Sequence, residues 1–213
     1  MDYRYGGNVG LYEHYILPKI TDLVCSVKPV THQRNKVVPL AKGRVLEIGI
    51  GSGLNFPYFD SSIVDYVCGL DPSLQMLKMA ERRTIDLPFE VELLELSGED
   101  IPLESNSVNT VLVTYTLCTI PDAVQALREM SRVLMPGGEL IFCEHGLAPD
   151  DGVRKWQSIL NPIWRRMGGG CNLNRPIPDL IEQGGFKITN IETMYISGWK
   201  PASFNYWGAA VRR

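Results

Sequence analysis

Residues 45–54 read Val45-Leu46-Glu47-Ile48-Gly49-Ile50-Gly51-Ser52-Gly53-Leu54. The apolar run from Arg44 to Ile48 predicts a buried strand. It ends in three glycines at alternate positions, and glycine tolerates positive φ and leaves bare backbone against which a ligand can lie. Leu54 and Phe56 then predict the opening of a helix. A strand, a glycine turn and a helix N-terminus together form a nucleotide-binding corner. The spacing is G-x-G-x-G, not the dinucleotide G-x-G-x-x-G. Glu47 precedes the first glycine by two places, and a carboxylate there suits an electron-poor ligand better than a pyrophosphate, which it would repel.

Working outward, Asp65–Leu70 predicts a second strand that delivers Asp71-Pro72-Ser73 to its tip. An acid at the end of strand two, about 20 residues after a glycine turn, is placed to accept hydrogen bonds from ribose hydroxyls. Ser73 can cap the helix expected over Leu74–Arg83, leaving Asp71 free. Glu90–Leu96 reads as strand three, followed by Gly98, Glu99 and Asp100. A small residue at Gly98 lets a flat ring approach, and the two acids can accept from an exocyclic amine. Ser107–Thr114 is strand four, apolar enough for a sheet covered on both faces. Tyr115, Leu117 and Cys118 follow at its carboxyl end, where ligands bind in open α/β sheets. A helix from Pro121-Asp122 to Leu134 stops at Met135-Pro136-Gly137-Gly138. Strand five, Glu139–Cys143, brings Glu144-His145-Gly146 to the same edge.

Before the first strand, tyrosines 3, 5, 12 and 15 crowd the N-terminus with His14. Apolar spacing predicts a helix over Leu11–Val27, which Pro18 breaks or kinks. The segment is either a lid across the glycine corner or a helix packed outside the sheet. After Ala148, Trp156 and Trp164 lie eight apart and share a helical face. Residues 168–176 form a flexible connection, and Ile177–Gln183 a short helix. Phe186–Tyr195 and Ser203–Arg213 are two strands without a helix between them, hence antiparallel. The alternation predicts an α/β fold, a mostly parallel sheet with helices on both faces and an antiparallel edge.

Composition agrees with one domain of 213 residues, 45% hydrophobic and 21% charged. A net charge of −3 gives no case for nucleic acid. No apolar run reaches membrane-span length, and no signal peptide is expected. Five cysteines without a C-x-x-C predict reduced thiols in a cytoplasmic protein, with neither disulfides nor a metal site.

Five stretches, VLEIGIGSGLN, GLDPSLQML, SGEDIPL, the run around TYTLCTIPD, and REMSRVLMPGGELIFCEH, resemble the class I S-adenosylmethionine-dependent methyltransferases, the branch with ubiquinone and menaquinone methylases. The resemblance covers residues 40–146. It implies a Rossmann-like seven-stranded sheet of order 3-2-1-4-5-7-6 and S-adenosylmethionine as cofactor. On matching positions it implies cofactor-binding roles for Glu47, Gly49, Gly51, Gly53 and Asp71, with Pro72 and Met76 flanking the adenine. It also assigns Gly98 and Glu99 to the adenine loop, and Thr114, Tyr115 and Leu117 to the wall beneath the sulfonium. Cys118-Thr119 stands where many quinone methylases have histidines, so their mechanism does not transfer. The C-terminal part, with CEHG, NPIW and GGCNLNR, is similar to a narrower group that includes animal alkyl-thiol methyltransferases and, more distantly, phospholipid amine methylases.

The expected organisation is one domain over 1–213: a helical cap (1–43), a cofactor-binding core (44–146), and an acceptor-side region with the final hairpin (147–213). The expected reaction is methyl transfer to a small molecule, foremost a thiol. A lipid amine headgroup or a quinol ring is the alternative acceptor, and a nicotinamide-dependent oxidoreductase the alternative class. His145 is the first candidate base, being able to titrate near neutrality. His14 and Tyr15 come next if the N-terminal segment closes. Cys118, Trp156, Trp164, Trp199 and Arg175 are candidates for the acceptor pocket. The expected state is a monomer or homodimer without an integral membrane segment.

Overall fold

The computed structural model describes residues 10–213; Tyr3 and Tyr5 lie outside them. Seven strands form one sheet: β1 (Gly43–Ile48), β2 (Val64–Leu70), β3 (Glu90–Leu94), β4 (Val108–Thr114), β5 (Leu134–His145), β6 (Phe186–Tyr195) and β7 (Phe204–Arg212). Their order is β3-β2-β1-β4-β5-β7-β6. The pairs from β3 through β5 are parallel, and β7 runs antiparallel to both β5 and β6. This is the order that the resemblance implies.

The helices are α1 (Leu17–Cys25), α2 (Lys28–Val37), α3 (Leu74–Glu81), α4 (Ala123–Val133), α5 (Asp151–Met167) and α6 (Ile177–Gln183). Sheet residues alternate between two cores. Leu46, Ile48, Val111, Val113 and Phe142 pack with Leu127 and Met130 of α4 and with α6. Val45, Val67, Leu112 and Ile141 pack with Val37 of α2 and with Leu77 and Ala80 of α3. Coverage on both faces explains the unbroken apolar runs of β1 and β4. In α4 the buried residues Ala123, Ala126, Leu127, Met130 and Val133 form one stripe at helical spacing. Asp122 caps it by accepting the Gln125 N–H at 3.0 Å. Strand order reverses between β1 and β4, so the crevice beyond their carboxyl ends is the place for a ligand.

Four local expectations need correction. No α-helix follows the glycine turn; Phe56–Tyr58, with Pro57 at its centre, makes one 3₁₀ turn, and the chain enters β2. The N-terminal helix has a π turn over Tyr12–Ile16, where the Leu17 N–H reaches Tyr12 O. Pro18 has no N–H to give residue 14, and the wider turn absorbs the loss. The polar segment Lys28–Val37 is a helix that sequence reading passed over. Finally, β5 starts at Leu134, not Glu139. Its register on β4 jumps from Val108↔Leu134 to Thr110↔Glu139, so Pro136-Gly137-Gly138 is an excursion inside the strand, where proline's missing donor is tolerated. Among the described residues no helix is long and apolar enough to cross a membrane.

Candidate active site at the sheet switch point

The glycine turn after β1 is held at both ends. The Gly49 and Ile50 N–H groups both donate to Leu70 O of β2, at 2.8 and 3.0 Å. Gly49, Gly51 and Gly53 have φ of +67°, +56° and +78°, the left-handed region that disfavours a side chain. A Cβ on Gly49 would sit 2.2 Å from Thr116 Oγ1, whereas one on Gly51 would meet only Met76 Cε, at 3.2 Å. The turn at Gly51 therefore leaves its backbone bare toward the crevice side of α3.

Asp71 closes this cradle. Its Oδ2 accepts the Gly51 N–H at 3.0 Å and its Oδ1 the Ser73 N–H at 2.8 Å. Ser73 in turn caps α3 by accepting the Met76 N–H. Each Asp71 oxygen keeps a free lone pair. Burial raises the carboxyl to about 6, partly offset by those two N–H groups.

Behind the turn lies a buried polar knot. The Asn55 amide donates to Glu47 Oε1 at 2.8 Å and to Thr114 Oγ1 at 3.0 Å. Arg34, from α2 and only 5% exposed, donates from Nη1 to Asn55 Oδ1 and to Thr114 Oγ1, both at 2.7 Å. Glu47 Oε2 is buried without a hydrogen-bond partner among the described residues. Burial pushes this carboxyl up to about 8, with Arg34 and Asn55 pulling it back only partly. An orphaned acid oxygen beside bare backbone is a receptor for a cation or an N–H donor. Arg34 is the residue that sequence reading missed. Its guanidinium lies 5.4 Å from the Tyr115 ring centroid.

Tyr115 has φ +56°, a strained value for a bulky residue and one found at functional turns. Its hydroxyl donates to Asn205 Oδ1 at 2.7 Å. Glu144 fixes the following turn, its Oε1 accepting the N–H groups of Thr116 and Leu117 at 2.7 and 3.1 Å. Burial raises Glu144 to about 7, against the pull of those donors. Leu117 is fully buried in the core.

Other candidates are differently employed. The missing Cβ of Gly98 faces Ile48, 2.8 Å away, so its smallness serves core packing, not the approach of a ring. Glu99 accepts from Ser97 Oγ and from the Asp122 N–H, both at 2.7 Å, which ties its loop to α4. Pro72 is exposed and Met76 buried. The N-terminal segment lies across the corner: Asp22 of α1 accepts from Ser52 Oγ and pairs with Arg83 at 3.0 Å. His14 meets Gln75 of α3 at 3.1 Å, and the Tyr12 hydroxyl reaches Met167 O of α5 at 2.7 Å. Tyr15 is exposed.

At the far side of the crevice, three residues distant in sequence converge. His145 Nε2 lies 3.2 Å from Cys171 Sγ, which lies 3.7 Å from Cys118 Sγ. Burial opposes charge on the His145 ring, but the Cys171 sulfur and Glu144 outweigh it and hold the ring above the ordinary histidine value. Trp164 donates from Nε1 to Cys171 Sγ at 3.4 Å and stacks on Trp199 at 5.3 Å between centroids. Trp156 is 58% exposed, so the two tryptophans of α5 do not share one environment. Arg175 donates to Leu117 O at 2.6 Å and flanks the sulfurs. One side chain of α5 is buried, Gln157. It accepts the Ala148 N–H and donates to Gly146 O, Leu173 O and Pro201 O, all at 2.9–3.0 Å.

Comparison with known proteins places these features. A family described as "Methyltransferase domain" matches residues 46–142. The thiol S-methyltransferase TMT1B of Rattus norvegicus is 30% identical over 194 residues, covering 88% of this chain and 73% of the relative. TMT1B of Homo sapiens is 31% identical over 202 residues, covering 91% and 78%. A solved geranyl diphosphate methyltransferase in complex with SAM superposes with a TM-score of 0.67 at 17% identity, covering 98% of this chain and 93% of that one.

Proposed function

The chain belongs to the class I S-adenosylmethionine-dependent methyltransferases, and from that premise we propose that it methylates the sulfur of a small-molecule thiol. The cofactor, when bound, supplies a methyl group already activated on a positively charged sulfur. The cradle fits it. Bare backbone at Gly51 receives the nucleoside, Asp71 has lone pairs for the ribose hydroxyls, and the orphaned oxygen of Glu47 faces no competing protein donor. Met76 and Pro72 flank the adenine in this reading.

The observation that carries the thiol assignment is the edge beyond β4 and β5. There two thiols and an imidazole meet beside the Trp164 indole, with Arg175 anchored on Leu117 O nearby, a soft setting that suits sulfur. A thiol with a pKa near 8.5 is partly ionised at neutral pH and needs positioning more than a strong base. The five cysteines, unpaired in the structure, suit a reducing cytoplasm. Incubation with trideuteromethyl cofactor and a panel of alkyl thiols, phospholipid amines and quinols tests the assignment by mass spectrometry. Label on sulfur is expected, and label found only on a lipid amine or a quinol overturns it.

Two expectations concern the cofactor. Asp71→Ala removes the ribose acceptor and two bonds that shape the cradle, so cofactor affinity falls about 10- to 100-fold, consistent with hydrogen bonds to a charged group. Asp71→Asn, keeping one acceptor oxygen, falls between. Calorimetry reads both, and an unchanged affinity in Asp71→Ala excludes the ribose role.

The second expectation is a pH dependence. Glu47 rests near 8 in the free protein, so it is mostly protonated at neutrality, and a cationic ligand beside it favours the carboxylate. Binding therefore expels a proton, and affinity climbs by up to about tenfold per pH unit between 6 and 8. Because the folded value lies above the ordinary 4.5, this group's contribution to stability is complete below that value and fades as pH rises toward 8. The melting temperature of the free protein falls over that window, and the cofactor's stabilisation grows. Calorimetric heats that do not change between buffers of different ionisation enthalpy contradict this.

A further inference from the structure

We infer that Cys118, His145 and Cys171 form a three-ligand site for Zn²⁺ whose fourth position takes the sulfur of the acceptor; this rests on the thiol reading above. The ligands come from three separate places: the turn after β4, the last residue of β5, and the connection after α5. Topology brings together what spacing along the chain does not announce. One ligand atom from each lies within 4.8 Å of the other two. Tetrahedral zinc, with Zn–S of about 2.3 Å and Zn–N of about 2.0–2.1 Å, sets two sulfurs about 3.8 Å apart and a sulfur and a nitrogen about 3.5 Å apart. The corresponding separations here are 3.7 and 3.2 Å. The third separation, His145 Nε2 to Cys118 Sγ, is within 4.8 Å, so an ion draws these two ligands together as it enters.

The donor set selects the metal. Two thiolates and an imidazole favour zinc over magnesium or calcium, which demand oxygen. The frame around the ligands is fixed. The backbone and side-chain N–H groups of Asn172 both donate to Cys118 O at 2.9 Å, and Asn161 Oδ1 accepts the Leu173 N–H at 2.8 Å. The Trp164 indole N–H on Cys171 Sγ is the outer contact that orients a thiolate ligand. Arg175, anchored on Leu117 O one residue before Cys118, offsets the negative charge of a site holding three thiolates.

Three ligands leave one position open, as in catalytic rather than structural zinc sites. Cys171 is half-buried and Cys118 buried, so a small molecule reaches the site from the Cys171 side. An acceptor R–SH that binds there loses its proton to solvent, because a coordinating thiol is deprotonated. Its sulfur lone pair forms the new S–CH₃ bond. The bond from the methyl to the cofactor's sulfonium breaks, and its electron pair stays on the cofactor sulfur. The product is a neutral thioether, a weak ligand that leaves. No oxidant or reductant is needed.

The test uses the full chain, stripped with a chelator and titrated with Co²⁺ as a spectroscopic substitute for zinc. One equivalent per chain is expected, with the visible bands of tetrahedral cobalt and a thiolate charge-transfer band. Zn²⁺ displaces it, and 2-mercaptoethanol alters the bands. Cys171→Ser and the near-isosteric His145→Gln each weaken uptake at least 100-fold while cofactor affinity stays near that of the parent. Uptake that is not stoichiometric, that survives Cys171→Ser, or that ignores the added thiol overturns the proposal. So does a stripped enzyme that methylates thiols at the full rate, which leaves the proposed function intact. Stoichiometric uptake with a thiol-sensitive spectrum but no S-methyl product supports the site and overturns the proposed function instead.

Discussion

Arg34→Ala destabilises the protein by about 3–5 kcal/mol, because it removes two hydrogen bonds from a buried charged donor, each worth about 1.5–3 kcal/mol. At this chain length each kcal/mol moves the melting temperature by about 2–4 °C, so a fall of roughly 6–20 °C is expected. Arg34 satisfies Asn55 Oδ1 and Thr114 Oγ1 and is the cation that holds the buried Glu47 carboxyl down. Removing it leaves Asn55 Oδ1 unpaired, takes one of the two donors from Thr114 Oγ1, and drives Glu47 further toward its protonated form. The double variant Arg34→Met/Glu47→Gln separates two meanings of this loss. Methionine refills the volume of the arginine stem and glutamine needs no neighbouring cation, so part of the stability returns. Cofactor affinity stays low, since the acid that faces the cation is gone. Melting and calorimetry on the two variants check this. If Arg34→Ala melts within a degree or two of the parent, the knot does not contribute as described.

Gly49→Ala abolishes detectable cofactor binding at concentrations that saturate the parent. Alanine at φ +67° costs about 1–2 kcal/mol in the left-handed region. The larger effect is steric. The new methyl would lie 2.2 Å from Thr116 Oγ1 and 2.8 Å from Thr116 Cβ, too close for a rotamer change to relieve. Either the glycine turn or the Thr116 turn must move, and each forms one wall of the crevice. Gly152→Ala, where a Cβ meets nothing within 4 Å, is the matched control and leaves binding unchanged. Cofactor titration of both variants decides it, and near-parental affinity in Gly49→Ala rules out the assigned role of the turn.

The two variants also mark what the sequence made legible. The glycine turn, Asp71 and the Ser73 cap could be read because local rules set them: positive φ needs glycine, and a helix start needs a cap. The strand order followed from the resemblance alone, whereas the parallel sheet with its antiparallel edge followed from alternation of apolar runs with turn residues. Arg34 was hidden because α2 has only two valines among ten residues, so it reads as solvated, and nothing local says that one of its cations is buried. The 3₁₀ turn at Pro57 and the strand that runs through Pro136 are cases where tertiary pairing overrode the usual weight of proline. His145, Cys118 and Arg175 were each visible as single candidates. Their meeting with Cys171 was not, because 53 residues separate the two sulfurs and only the sheet's crossover joins them.

The anchoring of α5 has a consequence for how such a protein diversifies. Seventeen residues of helix stand over the acceptor edge, and their one buried side chain, Gln157, ties them to three loops, with Asn161 and Trp164 adding contacts to the connection that follows. The donor half of the molecule has no comparable freedom, since its walls are shared with both cores. Selection can therefore recut the outer helix, altering which molecules gain entry, so long as Gln157 persists. Changes on this outer surface alter which acceptors enter and leave the methyl-donor cradle as it stands.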